Sequence, residues 1–437
     1  MPWFYEETDF IDENRKRELI ERFLFEARER ISKKLKKVLI IPPDITRYHS
    51  GAGKLAEMIY KILPSGSKVD VLPALGQHVP HTEKENKWMF GSIPLERIYA
   101  HDWGRGCKHL GEISADYVKK VTEGKADWPL PIQINRMVIE DKYDLIVNIG
   151  QVLPHEVVGF ANHNKNYFAG LGSKEAIDAS HMLSACCGIE KTLGRIMTPL
   201  RMCFNKAEEE YLNDLPDVYI LIVNAKNSQN QFVTTGLYVG DDVKTYLSAA
   251  KRSKVQNITV LDEPVKKVIA YMDPGEFRST WLANKAIYRT RMAIADDGEL
   301  LIIAPALKTF GEQQEIDALI RKYGYVGTEK VLKFYEENED LRNSRSAAAH
   351  LIHGSSEGRF TITYAPGKMT KEEIEKVNFK YIDIGEAMRK YNPQTLKDGW
   401  NKMPDGEEIY YISAPAMGLW TCREKLEDNG RAKNEES

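Results

Sequence analysis

The chain has 437 residues, 42% of them hydrophobic, with 61 Lys and Arg against 64 Asp and Glu and a formal net charge of −3. That length accommodates two or more cored domains, and the balanced charge gives no electrostatic reason to expect a nucleic-acid or membrane-surface partner. No apolar run approaches the ~20 residues of a bilayer span, no signal peptide opens the chain, and the five cysteines form no C-x-x-C, so the sequence reads as a cytoplasmic protein without a thiolate zinc site.

Residues 9 to 37 carry Leu19, Ile20, Phe23, Ala27 and Ile31 at helical spacing among charged residues, which predicts an amphipathic helix. Val38 to Ile41 follows as a buried strand stopped by Pro42-Pro43. A helix period then begins within HSGAGKLAEMIYKIL, and Lys68 to Pro73 makes the next strand. Strand, loop, helix, strand is a βαβ unit. The stretch from Arg97 to Asp127 has no clear period and reads as short elements decorating the sheet. Leu145 to Gly150 is a continuous apolar run, expected of a parallel strand buried on both faces. Val218 to Val223 is a further strand, and Gly236 to Gly240 is assigned to an edge.

Turn chemistry at Asp273-Pro274-Gly275 precedes a restart of the pattern. Ser279 to Ala295 reads as a helix, Leu300 to Pro305 as a strand and Gln313 to Lys322 as a helix, with strands at Phe360 to Thr363 and Tyr381 to Ile384. The expected fold is α/β in two domains, each a mainly parallel sheet flanked by helices, with the active site in the cleft between them. The boundaries are placed at 1–268 and 269–400. Residues 401–437 are expected to return to the first domain and end in a polar tail.

Chemistry-bearing residues collect where strands end, which is where open α/β sheets place their ligands. Asp44-x-Thr46-Arg47 offers a guanidinium fork for a carboxylate or phosphate after the first strand; a capped helix entry with a surface arginine is the structural alternative. Gly76-Gln77-His78 follows the second strand, and His78 with His81 forms an H-x-x-H pair without the intervening glutamate of a zinc helix. His155 lies beyond Leu145 to Gly150, with Lys165 ten positions on and His181 sixteen further. Gly51-Ala52-Gly53-Lys54-Leu55-Ala56 with Asp70 imitates a dinucleotide fingerprint, which opens a reading as a nicotinamide-dependent dehydrogenase. Nine residues separate Ile41 from Gly51, however, where that fingerprint needs an immediate turn.

Taken together, IPPDITR (Ile41 to Arg47), ALGQHVPHTEKE (Ala74 to Glu85), VNIGQVLPHEVVGFANHNK (Val147 to Lys165), DASH (Asp178 to His181) and the ANKA around Lys285 resemble the nickel-pincer lactate racemase family of α-hydroxy acid racemases and epimerases. The resemblance implies that Lys165 carries a pyridinium-3-thioamide-5-thiocarboxylic acid mononucleotide through a thioamide and that His181 is the protein ligand of its nickel. It implies His78 and His155 as the acid/base pair, Arg47 and Lys285 as the cations that hold the substrate carboxylate, and Asp44, Thr46 and Arg47 beside the cofactor. The implied partners are a small hydroxy acid and the cofactor-synthesis enzymes; a homo-oligomer is compatible with the sequence.

The implied reaction is reversible hydride transfer. Removing the α-hydrogen as a proton is hard beside a carboxylate, whereas removing hydride while a base takes the hydroxyl proton leaves a neutral ketone. Two histidines then serve the two enantiomers. Three departures from the family pattern stand out. Ala161-Asn162-His163 replaces a small Ser-Gly-Gly run, Leu282 replaces a glutamine, and Val79 replaces an arginine. They make a longer or more hydroxylated 2-hydroxy acid at least as good a candidate substrate as lactate. A second alignment makes Lys174 the anchor and His163 a base, but its spacings match less well. A non-catalytic family member is the further alternative.

Overall fold

In the computed structural model, which describes residues 2–31, 35–227, 229 and 231–427, the chain divides into two compact units. One holds the chain up to Leu183 together with Gly194–Gln256; the other holds Ser184–Leu193 and the chain from Asn257 on.

The strands of the first unit are β1 (Phe4–Glu7), β2 (Lys37–Ile41), β3 (Lys68–Val71), β4 (Cys107–Ile113), β5 (Leu130–Asn135), β6 (Leu145–Gln151), β7 (Pro154–His155), β8 (Gly159–Phe160), β9 (Asp217–Lys226) and β10 (Phe232–Gly240). Six form one sheet in the order β1-β10-β9-β6-β2-β3. Its β3, β2, β6 and β9 are mutually parallel, and β10 and β1 add antiparallel to the far side. The segment Gly236 to Gly240 is therefore internal, not an edge. The edge is β1, whose FYEE sequence alternates buried and exposed residues over too few positions to register as a strand.

The register explains the site. Ile41 of β2 stands opposite Asn148 of β6, and a bridge joins Pro43 to Ala74. The loops after β2, β3 and β6, which carry Asp44, His78 and His155, thus leave one end of the sheet side by side. Every residue of β6 is buried. Helices α1 (Glu13–Ile31) and α2 (Ala52–Ile62) pack on the sheet through Leu19, Phe23, Leu55 and Ile59, with α3 (Glu83–Phe90) adding Met89 and Phe90 to the same core.

The second unit has β11 (Ile258–Leu261), β12 (Val265–Tyr271), β13 (Ile294–Ala304), β14 (Thr361–Pro366), β15 (Lys380–Tyr381), β16 (Gly399–Lys402), β17 (Glu408–Ile412) and β18 (Leu419–Cys422). Its main sheet runs β15-β14-β13-β12-β17-β16, parallel except for the last pair. Residues 401–437 were expected to return to the first domain. Instead β17 joins the second unit's sheet and β18 pairs with β11; residues 428–437 lie outside those described. The helix expected over Ser279 to Ala295 is broken into Thr280–Ala283 and Lys285–Thr290, and β13 already begins at Ile294. Among the described residues no helix is long and apolar enough to cross a membrane.

Candidate active site

Asp44 is buried at 5% exposure and caps the turn Ile45–Ser50, accepting from the backbone N–H and the hydroxyl of Thr46 at 3.1 and 2.6 Å. Its other oxygen, Oδ2, meets Nδ1 of His78 in a short contact. Burial alone would raise the Asp44 carboxyl; the charge and hydrogen bond of His78, with Arg47 and Thr46, outweigh it and hold the group well below the usual carboxylate range. A carboxylate can only accept, so Nδ1 of His78 carries a proton, and in the neutral ring the lone pair is on Nε2. The ring remains 42% exposed.

His81 does not join His78 in a metal pair. Its Nε2 accepts from the backbone of Ile45 at 2.8 Å and its Nδ1 lies 3.0 Å from Asn86 Oδ1, so it pins the Asp44 turn to α3. Arg47 folds back, with Nη1 at 3.3 Å from the carbonyl and 3.1 Å from the hydroxyl of Thr46.

His155 sits in the small ladder of β7 with β8, and its Nδ1 accepts from the backbone N–H of Val157 at 3.1 Å. Its neutral form therefore bears the proton on Nε2, opposite to His78. The two rings therefore hold opposite neutral tautomers.

Helix α4 (Lys174–Cys187) carries His181. The Nδ1–H of His181 donates to the Ile177 carbonyl at 2.7 Å, one turn back, which leaves Nε2 as a free donor to a metal. Burial, first, and the neighbouring Lys165 charge oppose protonation of this ring, and the balance lies below the ordinary imidazole value. Gln77, next to His78, donates to Asp178 of the same helix at 2.9 Å and so ties the His78 loop to it.

Lys165 opens a π-helical turn, Asn166–Gly170, an unusual geometry that favours functional positions. Among the described residues its Nζ makes no hydrogen bond or ion pair. Desolvation, and then the charge of Arg47, push the amine down to about 8, against the pull of Glu156 and Asp44. Lys174 is different: 48% exposed and paired with Asp178 at 2.7 Å. His163, the base of the alternative alignment, is fully buried with its ring 3.9 Å from that of Tyr219, and desolvation lowers it to about 4.

The glycine string of the dinucleotide reading has another purpose. A Cβ on Gly53 would lie 2.3 Å from the Met89 carbonyl, so this glycine permits α2 to approach α3. Asp70 is buried, with Arg97 at 3.3 Å and the Tyr143 hydroxyl at 3.2 Å, and does not present its carboxylate at the surface as ribose binding would need.

Lys285 belongs to the second unit. It begins the helix Lys285–Thr290 directly after Asn284, which is buried and accepts from the Tyr364 hydroxyl at 2.6 Å. Its ammonium lies 5.8 Å from the centre of the Phe277 ring.

Residues 5–192 match the family described as the lactate racemase N-terminal domain. The whole chain is similar in fold to a crystal structure of a Thermotoga maritima protein, with a TM-score of 0.80 at 23% identity over 95% of this chain and 100% of the other. It is likewise similar to the lactate racemase apoprotein from Thermoanaerobacterium thermosaccharolyticum, with a TM-score of 0.69 at 16% identity over 95% and 94% of the two chains. A search of curated proteins returned no match.

The backbone also explains how Ala161-Asn162-His163 stands in for a glycine-rich run. Asn162 and His163 hold φ of 70° and 58°, the left-handed region glycine would enter without strain. Asn162 is locked there: its Oδ1 accepts from the backbone of His163 at 2.9 Å and from Asn166 at 3.3 Å. Gly150 lies against it so closely that a Cβ would stand 1.6 Å from Asn162 Nδ2. Sequence reasoning missed Glu156, Asp178 and Arg201 as members of this neighbourhood. Glu156 and Asp178 sit inside quoted motifs and were open to notice; Arg201 looks like any helical surface arginine.

Proposed function

We propose that this protein inverts the hydroxyl-bearing α-carbon of a 2-hydroxy acid, using a nickel-pincer nucleotide tethered to Lys165. The observation that carries the reading is a partly exposed lysine that forms no ion pair among the described residues, in the same electrostatic neighbourhood as His181, Asp44 and Arg47, within the stretch that matches the lactate racemase N-terminal domain. The donor set suits the group. Among the described residues no three His, Cys, Asp or Glu side chains converge on a metal, so a metal on His181 Nε2 needs its remaining ligands from the bound molecule, and the pincer would provide them.

When bound, that group supplies a carbon that accepts hydride and gives it back to either face. The protein supplies the rest. Neutral His78, its Nδ1 proton fixed by Asp44, takes the hydroxyl proton of one enantiomer on Nε2, while His155, whose neutral form carries its proton on Nε2, is assigned to return one to the other. In the reverse direction the two exchange roles. Arg47 and Lys285 are assigned to the substrate carboxylate, and Thr46 steadies Asp44 from below. Val79 and Leu282, apolar where the family has Arg and Gln, favour a substrate other than lactate. The reading entails cofactor-synthesis enzymes as partners and a cytoplasmic location.

The test is production alongside those synthesis enzymes, intact-mass analysis, and chiral chromatography over a panel of 2-hydroxy acids. A mass increase at Lys165 and interconversion of one pair of enantiomers are expected. Replacing either His78 or His155 with Asn should slow both directions by about a hundredfold or more. An adduct with no acid inverted would instead identify a non-catalytic relative; no adduct would remove the cofactor reading.

A further inference from the structure

A fully buried arginine lies behind the loop that delivers Lys165, and no role above accounts for it. Arg201, on the helix α5 (Pro199–Tyr211), is 0% exposed. Its Nη2 donates to the Phe160 carbonyl at 2.7 Å, and its Nη1 to the Asn162 carbonyl at 3.3 Å and to the side-chain oxygen of Asn164. The guanidinium carbon lies 4.2 Å from the centre of the Tyr246 ring. All these acceptors are neutral. Among the described residues a carboxylate is reached only at second hand, through Asn164, whose Nδ2 donates to Glu208 at 2.8 Å.

A buried cation costs several kcal/mol, and an apolar residue of similar volume would fill the space more stably. Carbonyls lower the cost of burial without cancelling the charge, so its field persists in the low-dielectric interior. The residue after Asn164 is Lys165; burial and the charge of Arg47 act most strongly on its amine, and the guanidinium adds to them in the same direction.

We propose that Arg201 is a positioning residue for Lys165: its fork fixes the backbone of residues 160–164 that aims the amine, and its charge behind the loop disfavours a second cation there, leaving the nitrogen lone pair available for bond formation. The inference rests on Lys165 as the tether.

The test is limited acetylation of the full-length apoprotein with acetic anhydride. The amine nitrogen bonds to one carbonyl carbon, acetate leaves, and the amine proton passes to solvent. Peptide mass spectrometry compares Lys165 with Lys174 in the same sample. Wild-type protein should acetylate Lys165 ahead of Lys174, and Arg201→Met should lower that ratio about fivefold or more. A purely structural arginine predicts the reverse, because a loosened loop exposes the amine; an unchanged or raised ratio overturns the proposal.

Arg201→Lys keeps the charge without the fork and decides the matter if Arg201→Met does not fold. It should hold the ratio within about threefold of wild type while amide exchange in residues 160–166 quickens about tenfold or more. Unaltered exchange, or a ratio that collapses despite the retained charge, overturns the proposal. If wild-type Lys165 shows no preference, the tether reading itself fails; a preference that survives Arg201→Met removes only the role of Arg201.

Discussion

Replacing Lys165 with Met should make the apoprotein more stable at neutral pH. The amine falls from 10.5 in the open chain to about 8 in the folded protein, chiefly through burial and the charge of Arg47. At about 1.4 kcal/mol per tenfold change, that is about 3 kcal/mol against folding wherever both states hold the proton. The side chain is partly exposed, so solvent screening brings the expected gain to about 1–2 kcal/mol. The sign can be followed with pH. Below 8 both folded and unfolded chains are protonated and the penalty is complete; between 8 and 10.5 only the unfolded chain keeps its proton, so wild type recovers and the advantage of Met shrinks. Urea unfolding of the two apoproteins at pH 7 and pH ~9.5 measures both quantities. Lys174→Met is the control, expected within about 0.5 kcal/mol of wild type because that lysine is half exposed. A Lys165→Met protein less stable than wild type at pH 7, or a gain that grows with pH, would refute the reasoning.

Gly150→Ala should destabilise by about 2–3 kcal/mol, since the new methyl would stand 1.6 Å from Asn162 Nδ2; thermal melts of wild type and variant measure it, and a neutral effect would mean that Asn162 is free to move. His181→Ala should lower the nickel retained by cofactor-loaded protein by about tenfold or more, as measured by elemental analysis after gel filtration. Unchanged nickel would remove His181 as the ligand.

Much of the first unit was legible because its strands are continuous apolar runs between breakers: Val38 to Ile41 and Leu145 to Gly150 need nothing beyond periodicity. The motif residues Asp44, His78, His155, Lys165 and His181 stood out in the sequence through their places after strand ends and through the family resemblance of the motifs around them. Their pairings did not, because the Asp44–His78 contact and the opposite tautomers of His78 and His155 depend on which loops leave the sheet together. Lys174 and Lys165 looked alike as letters and differ only through burial and the partner at Asp178. The strand Val265–Tyr271 escaped notice because Lys266 and Lys267 interrupt it, and Lys267 is held at 3.0 Å by Glu299 of β13 and at 3.0 Å by Glu407, the residue before β17. Arg201 was beyond reach, since nothing in its local sequence marks an arginine that will be engulfed.

The short excursion Ser184–Leu193 has a practical consequence. The chain leaves the first unit, contributes ten residues to the second and comes back, and within that stretch Glu190 holds Arg291 at 3.0 Å and Arg359 at 2.9 Å. Neither unit can therefore be cut out as an uninterrupted cassette. A fragment ending at Gln256 would keep Glu190 while discarding both its guanidinium partners, so grafting the front half of one such protein onto the back half of another would have to bring a matched Glu190, Arg291 and Arg359.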